Sequence, residues 1–451
     1  MSGMYKAPGK MSKQDLLTQL GTVFLETRGG KIFPQFHFFR SACCKSARRV
    51  LEHRHQASLT DPILKTIKNL SENFPNRTMK VLHLGNPYFK EDLEELGHEV
   101  LWAGSSPTAD CHLPTPFITW QAVFSRFPHG WTPDCVILGD DSAQPPMIGL
   151  ESLPIPLVWY TIDTHLHASW HRYYAPVFDI ILVAQQDWQS TCALARHRQI
   201  LQWAPLFINS RQTKHLNLAR EIPLAFVGTM NARLNPKRVQ LIEHLVKRYP
   251  ITVQSGPFLD TFNRAKIVLN QSINGDVNFR TFEAMACGAL LLTERSPNGL
   301  ADLFRDGREC AYYEPGNVDH IIEQAEYYAH HQEERERVAH AGYTAVMEAH
   351  TSLHRAQLIM DLLKSPHLPS MMNQRHLDQA NIQWYLTKVY QACAQRCEQA
   401  AMANPEHSPA FRRIGNLAEQ YRLLSTTIQN TLAPFKEALT ATDTGMSREA
   451  S

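Results

Sequence analysis

Eleven short apolar runs, spaced to leave room for helices between them, narrow the possible folds of this chain more than any other feature. Six come first: Lys80–Gly85, Glu99–Trp102, Asp134–Leu138, Pro156–Tyr160, Asp179–Val183 and Ile200–Trp203. After a polar stretch, Asn209–Glu221, five more follow: Ile222–Gly228, Ile251–Val253, Lys266–Leu269, Ala289–Leu292 and Cys310–Tyr313. A strand apolar along its whole length has both faces buried, as in a parallel sheet covered by helices on each side. The rhythm predicts an α/β protein with two successive doubly wound domains, residues 79–208 and 209–364, facing a cleft. Ligands of such sheets bind beyond the carboxyl ends of the strands.

The flanks read differently. Ser12–Arg28 and Asp61–Phe74 carry apolar residues at helical spacing, and Asp61-Pro62 supplies a cap followed by a first-turn proline. Residues 1–78 are expected as a helical extension, and residues 365–451 as a helical region whose tail from Thr440 is disordered. Leu377–Met402 is amphipathic, and Ala400-Ala-Met-Ala-Asn-Pro405 with Gly415-Asn-Leu-Ala418 faintly resembles a tetratricopeptide helix pair. Such helical ends are candidates for binding protein.

Composition excludes several classes. A net charge of +2 on 451 residues gives no electrostatic case for nucleic acid. No run approaches 18 uninterrupted apolar residues, so no transmembrane segment is expected. The stretch Met1–Pro8 lacks the apolar core of a signal peptide. Nine cysteines without a C-x-x-C support neither a disulfide framework nor a zinc site. Free thiols in a reducing cytoplasm are the expectation.

The chemistry concentrates in Asn278-Phe-Arg-Thr-Phe-Glu-Ala-Met-Ala-Cys-Gly288. It reads as a helix with Arg280 and Glu283 in its first turns, stopped by Gly288 and followed by a buried strand. A helix N-terminus favours phosphate, because it is partly positive and has free N–H groups. A carboxylate one turn in can accept hydrogen bonds from two neighbouring ribose hydroxyls. The competing reading is an ordinary helix start, since Glu and Arg are common there in any α/β protein. In the first half, Asp163, His165, His167 and His171 follow the run ending at Tyr160. Asp163 and His165 are candidates to face the cleft, with helix capping the alternative for Asp163. His167 and His171 are four apart but have no third ligand nearby, so no metal is assigned. Asp140-Asp141 lacks Asp-x-Asp spacing and reads as a turn, and the single glycine of Lys80–Gly85 is no dinucleotide fingerprint.

The second half resembles the nucleotide-binding domain of two-domain GT-B glycosyltransferases, specifically the spore-maturation-protein (CgeB-like) group. The words that carry this are Phe226-Val-Gly228, Ala265-Lys-Ile-Val-Leu-Asn270, the 278–288 segment, Asp306-Gly307, Tyr313-Glu-Pro315, Ala339-His-Ala-Gly342 and His350-Thr351 with Arg355. In the first half they are Trp159-Tyr-Thr-Ile-Asp-Thr-His165, Phe178-Asp179, Val183-Ala-Gln-Gln-Asp187 and Trp203-Ala-Pro-Leu206. The resemblance implies transfer of a sugar from a nucleotide-diphosphate donor to an acceptor glycan, protein or lipid-linked sugar, with retention and with no cofactor beyond the donor. It implies that Glu283 holds the ribose, that the diphosphate lies near the N-terminus of the 278–287 helix, and that Asn278 and Gly228 are among the substrate-binding residues. Arg280, or a basic group among Arg233, Lys237 and Arg238, would neutralise it. His165 or Asp163 would lie near the reacting sugar. One departure stands out: eight positions before Glu283, where many relatives have a second glutamate, this chain has Gly275, with Asp276 beside it. A nucleotide-sugar epimerase or hydrolase, and a non-catalytic interaction protein, stay open as alternatives.

Overall fold

The computed structural model describes residues 77–113, 118–233, 235–404 and 408–433. The helices expected at Ser12–Arg28 and Asp61–Phe74, and the tail from Thr440, lie outside the described residues. All eleven apolar runs form strands. The first sheet contains β1 (Lys80–Gly85), β2 (Glu99–Gly104), β3 (Cys111–His112), β4 (Cys135–Gly139), β5 (Leu157–Thr161), β6 (Ile180–Val183) and β7 (Ile200–Trp203), in the order 3-2-1-4-5-6-7. The second contains β8 (Ile222–Val227), β9 (Thr252–Gln254), β10 (Ala265–Asn270), β11 (Leu290–Glu294) and β12 (Ala311–Tyr313), in the order 12-11-10-8-9. Every strand pair in both sheets is parallel. The strand absent from the sequence reading is β3, whose two residues are too few to show a period.

The burial is what a parallel sheet requires. All five residues of β4, of β5 and of β11 are buried, because helices cover both faces. The helices that position the site are α1 (Thr164–Tyr174), α2 (Pro236–Val246), α3 (Phe279–Ala286), α4 (Val318–His330) and α5 (Ser352–Leu363). The two Rossmann-like domains face each other in the GT-B arrangement. One apolar core runs through both, joining Phe89, Tyr160 and Phe207 of the first domain to Phe262, Phe282 and Met285 of the second. At the seam, Phe279 lies 5.9 Å from Phe207 and 6.1 Å from Tyr88, centroid to centroid.

After α5 the chain returns to the first domain. Helix α6 (Leu368–Leu377) carries Arg375, whose Nε donates to Asp179 at 2.9 Å, both residues being almost wholly buried. The same guanidinium donates to the carbonyls of Glu151, Leu153 and Ile155 at 3.0, 3.0 and 2.8 Å. Two 24-residue helices, α7 (Gln379–Met402) and α8 (Pro409–Leu432), follow. They pack against each other and share the first domain's second core through Val389, Tyr390, Cys393 and Leu424. The C-terminal helices are thus part of that domain. No helix among the described residues is long and apolar enough to cross a membrane.

Candidate active site

The site is built on α3. Asn278 adopts extended backbone (φ −90°, ψ 171°) and caps the helix, yet its side chain makes no capping bond. Its buried Oδ1 has no partner among the described residues. The helix ends where Gly288 takes φ +73°, a left-handed conformation that favours glycine. Between these ends Phe282 and Met285 face the core, which turns Arg280 and Glu283 toward the carboxyl ends of β8 and β10.

Arg280 is held from three directions. Its Nε donates to the carbonyl of Val227 at 2.7 Å, and its Nη1 donates to Asn270 Oδ1 at 2.9 Å. Asn270 is fixed in turn, because its Nδ2 donates to Thr281 and Thr293 at 3.1 Å each. The guanidinium sits over the ring of Phe226, 4.8 Å from its centroid. A Cβ at Gly228 would fall 2.5 Å from Arg280 Nη2, so the close approach requires glycine there. Burial, then repulsion from Arg238, holds the Arg280 pKa down to about 10.

Arg238 reaches the same groove from α2 and lies 5.6 Å from the same ring centroid. Its Nε donates to Gln271 Oε1 at 2.8 Å, and its Nη2 donates to the Gln271 carbonyl at 2.9 Å. Lys237, the preceding residue, points elsewhere and lines a separate groove, while Arg233 stays exposed on its loop. Two guanidiniums therefore share one aromatic platform. Neither forms an ion pair among the described residues.

Glu283 is half-buried, and its carboxylate makes no hydrogen bond or ion pair among the described residues. Burial lifts its pKa to about 7, against the pull of Arg280. The groove these residues share measures about 460 Å³ and extends past Gly256 and Phe258 at the end of β9.

The turn that carries Gly275 is tight. Asn274 and Gly275 have φ +56° and +76°, and a Cβ at 275 would lie 3.1 Å from Pro297. A glutamate at 275 would be strained in this backbone. The carboxylate on this turn belongs to Asp276, which accepts from the Ile273 N–H and lines the groove. Burial raises its pKa to about 6; the Ile273 bond opposes this, and the charge of Asp163 across the cleft adds to it.

On the first domain, Asp163 precedes α1 but makes no capping bond and accepts instead from Ser142 Oγ. Its position is set by Asp140. That buried carboxylate accepts from Ser142 N at 2.9 Å, Ile162 N at 3.1 Å, Thr161 Oγ1 at 3.2 Å and Asp163 N at 3.3 Å. Burial raises the Asp140 pKa to about 6 despite these donors. His165 lies on the first turn of α1, with a buried Nδ1 that has no partner. Helix α1 is interrupted at His167 (φ −123°, ψ 15°), where Nδ1 accepts from Arg396 of α7 at 2.9 Å. Burial depresses both His167, to about 4, and His171. His171 Nδ1 is spent on Thr161 and Thr164 at 3.2 and 3.3 Å.

Three further residues have no role assigned from the sequence, although two of them lie in the Val183–Asp187 word. Gln185 donates from Nε2 to the Val277 carbonyl at 3.2 Å and accepts the Val277 N–H at 2.9 Å. Asp187 and Asn298 make a second reciprocal pair: Asp187 N to Asn298 Oδ1 at 3.3 Å, and Asn298 N to Asp187 Oδ2 at 3.0 Å. Only the amides at 185 and 298, polar groups flanking apolar strands, hinted at this.

Comparison with known proteins gives the class. Residues 208–361 match the family described as Glycosyl transferase-like. The matched part, which spans the second Rossmann-like domain, is a glycosyltransferase-like domain. Solved structures similar to this chain include a glycosyltransferase from Rickettsia africae (11% identity, 64% of this chain and 100% of that one, TM-score 0.49). Sucrose-phosphate synthase from Thermosynechococcus elongatus is similar at 13% identity over 63% and 99%, with a TM-score of 0.47. Alr3699/HepE from Anabaena, in complex with UDP-glucose, is similar at 10% identity over 63% and 99%, also with a TM-score of 0.47. No curated protein matches the sequence.

Proposed function

We propose that this protein transfers a glycosyl group from a nucleoside-diphosphate sugar to an acceptor, and that the donor lies in the groove on α3. The observation that carries the reading is the pair Arg238 and Arg280. They are one buried and one half-buried guanidinium on one phenylalanine, with no carboxylate paired to either among the described residues, beside the N-terminus of a helix. A buried positive pair is costly unless an anion completes it. A diphosphate supplies that anion, and helix N–H groups favour it further.

Glu283 stands one turn in, where an ionised carboxylate can accept from both ribose hydroxyls. Gly256 and Phe258 border the space left for the base. Breaking the sugar–diphosphate bond develops negative charge on the leaving phosphate, and fixed cations stabilise it without reorganisation. Asp276 from one domain and Asp163 or His165 from the other would bracket the donor sugar. The stereochemical outcome we adopt, retention, rests on the resemblance to the CgeB-like group, as do a cytoplasmic setting and a scheme that needs no metal.

Thermal unfolding with uridine, guanosine and thymidine diphosphates tests the donor site. A ligand at 100 times its Kd adds about 2.7 kcal/mol of stability. We expect one of the three to stabilise the wild type and to lose at least tenfold in affinity in Glu283→Ala. No stabilisation by any of them would overturn the proposal.

A further inference from the structure

Segment 271–276 is a partition with a groove on each side. Ile273 and Asp276 face the Glu283 groove, while Gln271, Asn274 and Gly275 line a second one of about 490 Å³. The carboxylate of Glu294, at the end of β11, faces this second groove. Along one face of α2, Lys237, Gln240 and His244 form its wall, three and four residues apart as neighbours on a helix are.

Glu294 is the informative group. The residue is only 7% exposed. One oxygen, Oε1, accepts both the N–H of Ser272, at 2.8 Å, and its hydroxyl. The other oxygen has no hydrogen bond among the described residues, and the carboxylate has no ion pair among them. A nearly buried carboxylate with one oxygen facing an open recess is a hydrogen-bond acceptor awaiting a donor. Besides Ser272, the other polar side chains of the lining are an ammonium, an imidazole and the amides of Gln240, Gln271 and Asn274, and Leu241, Pro315 and Val318 supply apolar surface. Formal charge nearly cancels, so neither a strong anion nor a strong cation is favoured. Carboxylate and amide groups together match the alternating donors and acceptors of vicinal hydroxyls.

We propose that this second groove is a carbohydrate-binding site outside the cleft. It takes a neutral, hydroxyl-rich sugar, with Glu294 accepting from its hydroxyls and Gln240, His244 and Asn274 on its rim. The site also touches the donor groove. Gln271 gives its side-chain oxygen and its carbonyl to Arg238 and an amide N–H to the Ser272 carbonyl, and with these bonds fixed it lines the sugar groove. A sugar held here therefore sits beside a bound nucleotide and does not compete with it. The groove stands on its own geometry, whether or not the cleft holds a nucleotide.

Saturation-transfer NMR on the full chain, with glucose, N-acetylglucosamine and maltose at millimolar concentration, tests this. The expected result is transfer to at least one of the three, unchanged by saturating uridine diphosphate, and about tenfold weaker in Glu294→Gln and in His244→Ala. Because His244 lies on an exposed helix face, its variant reads binding even if the Glu294 variant misfolds. Absence of transfer from all three sugars would overturn the proposal. So would displacement by the nucleotide, or wild-type binding by both variants. A failure of nucleotide binding alone would overturn the donor-site reading and leave this one standing.

Discussion

Gln185 and Val277 lie in different domains and exchange two hydrogen bonds, in the way one residue of a β-ladder meets another. Val277 immediately precedes the cap of α3, so the first domain grips the segment from which Asp276 and Asn278 enter the donor groove. Asp187 and Asn298 repeat the clasp, and Asn298 Nδ2 also holds the Gly275 carbonyl at 2.9 Å. The contacts between the domains and the shape of the groove on α3 therefore depend on the same residues.

Gln185→Ala leaves the N–H and the carbonyl of Val277 unpaired, and each buried unpaired group costs about 1–3 kcal/mol. The cheapest relief is to part the domains and admit water. Small-angle scattering should show a larger radius of gyration for the ligand-free variant, and nucleoside-diphosphate affinity should fall about tenfold. An unchanged radius together with unchanged affinity would show that the clasp does not govern closure.

Glu283 sets a pH dependence with a definite sign. Its folded pKa is about 7, above the ordinary 4.5. The stability it contributes is fully present below about pH 4.5 and is lost as pH rises toward 7. Denaturant titrations of the ligand-free protein should show Glu283→Gln gaining on the wild type across that interval. Ribose binding needs the ionised form, so nucleotide affinity should fall as pH drops below 7 in the wild type more than in the variant. Parallel profiles for the two proteins would remove Glu283 from the ribose contact.

Gly275 is required by its backbone. At φ +76°, with Pro297 3.1 Å from a Cβ, Gly275→Ala should cost about 1–3 kcal/mol. Gly275→Glu, which restores the acidic residue of relatives, should cost at least as much and bring no gain in donor affinity. Chemical denaturation of both variants checks this, and a glutamate variant as stable as the wild type would refute it.

The C-terminal return is held by a buried ion pair. Arg375→Ala leaves Asp179 charged and buried, at a cost of about 3–5 kcal/mol. Replacing both partners, as Asp179→Leu with Arg375→Met, should cost clearly less than the single change. A double-mutant cycle in urea measures the difference, and equal costs would mean that the carbonyl contacts of Arg375, not the pair, matter.

What was legible in the sequence was whatever repeats locally. Eleven of the twelve strands show as apolar runs, and the α3 segment shows its cap, its stop at Gly288 and the Arg280–Glu283 turn within eleven residues. Residues close in the chain are constrained by the same backbone geometry, so their relation survives without a tertiary context. Lys237 and Arg238 mark the limit. They are adjacent in sequence, but a helix turns about 100° per residue, and only packing decided which one enters the donor groove. Asp140 read as a turn residue; its four donors are the last residue of the next strand, the two residues after it and one neighbour, Ser142. The partners of Gln185, Asn298 and Arg375 could not be read locally either, since each acts on a residue 92 to 196 positions away. The sequence by itself determined the two sheets and the helix on which the groove is built. The tertiary structure decided which charges are buried together, which turn needs glycine and how the domains are clasped, because those depend on contacts that only the folded chain brings within hydrogen-bond reach.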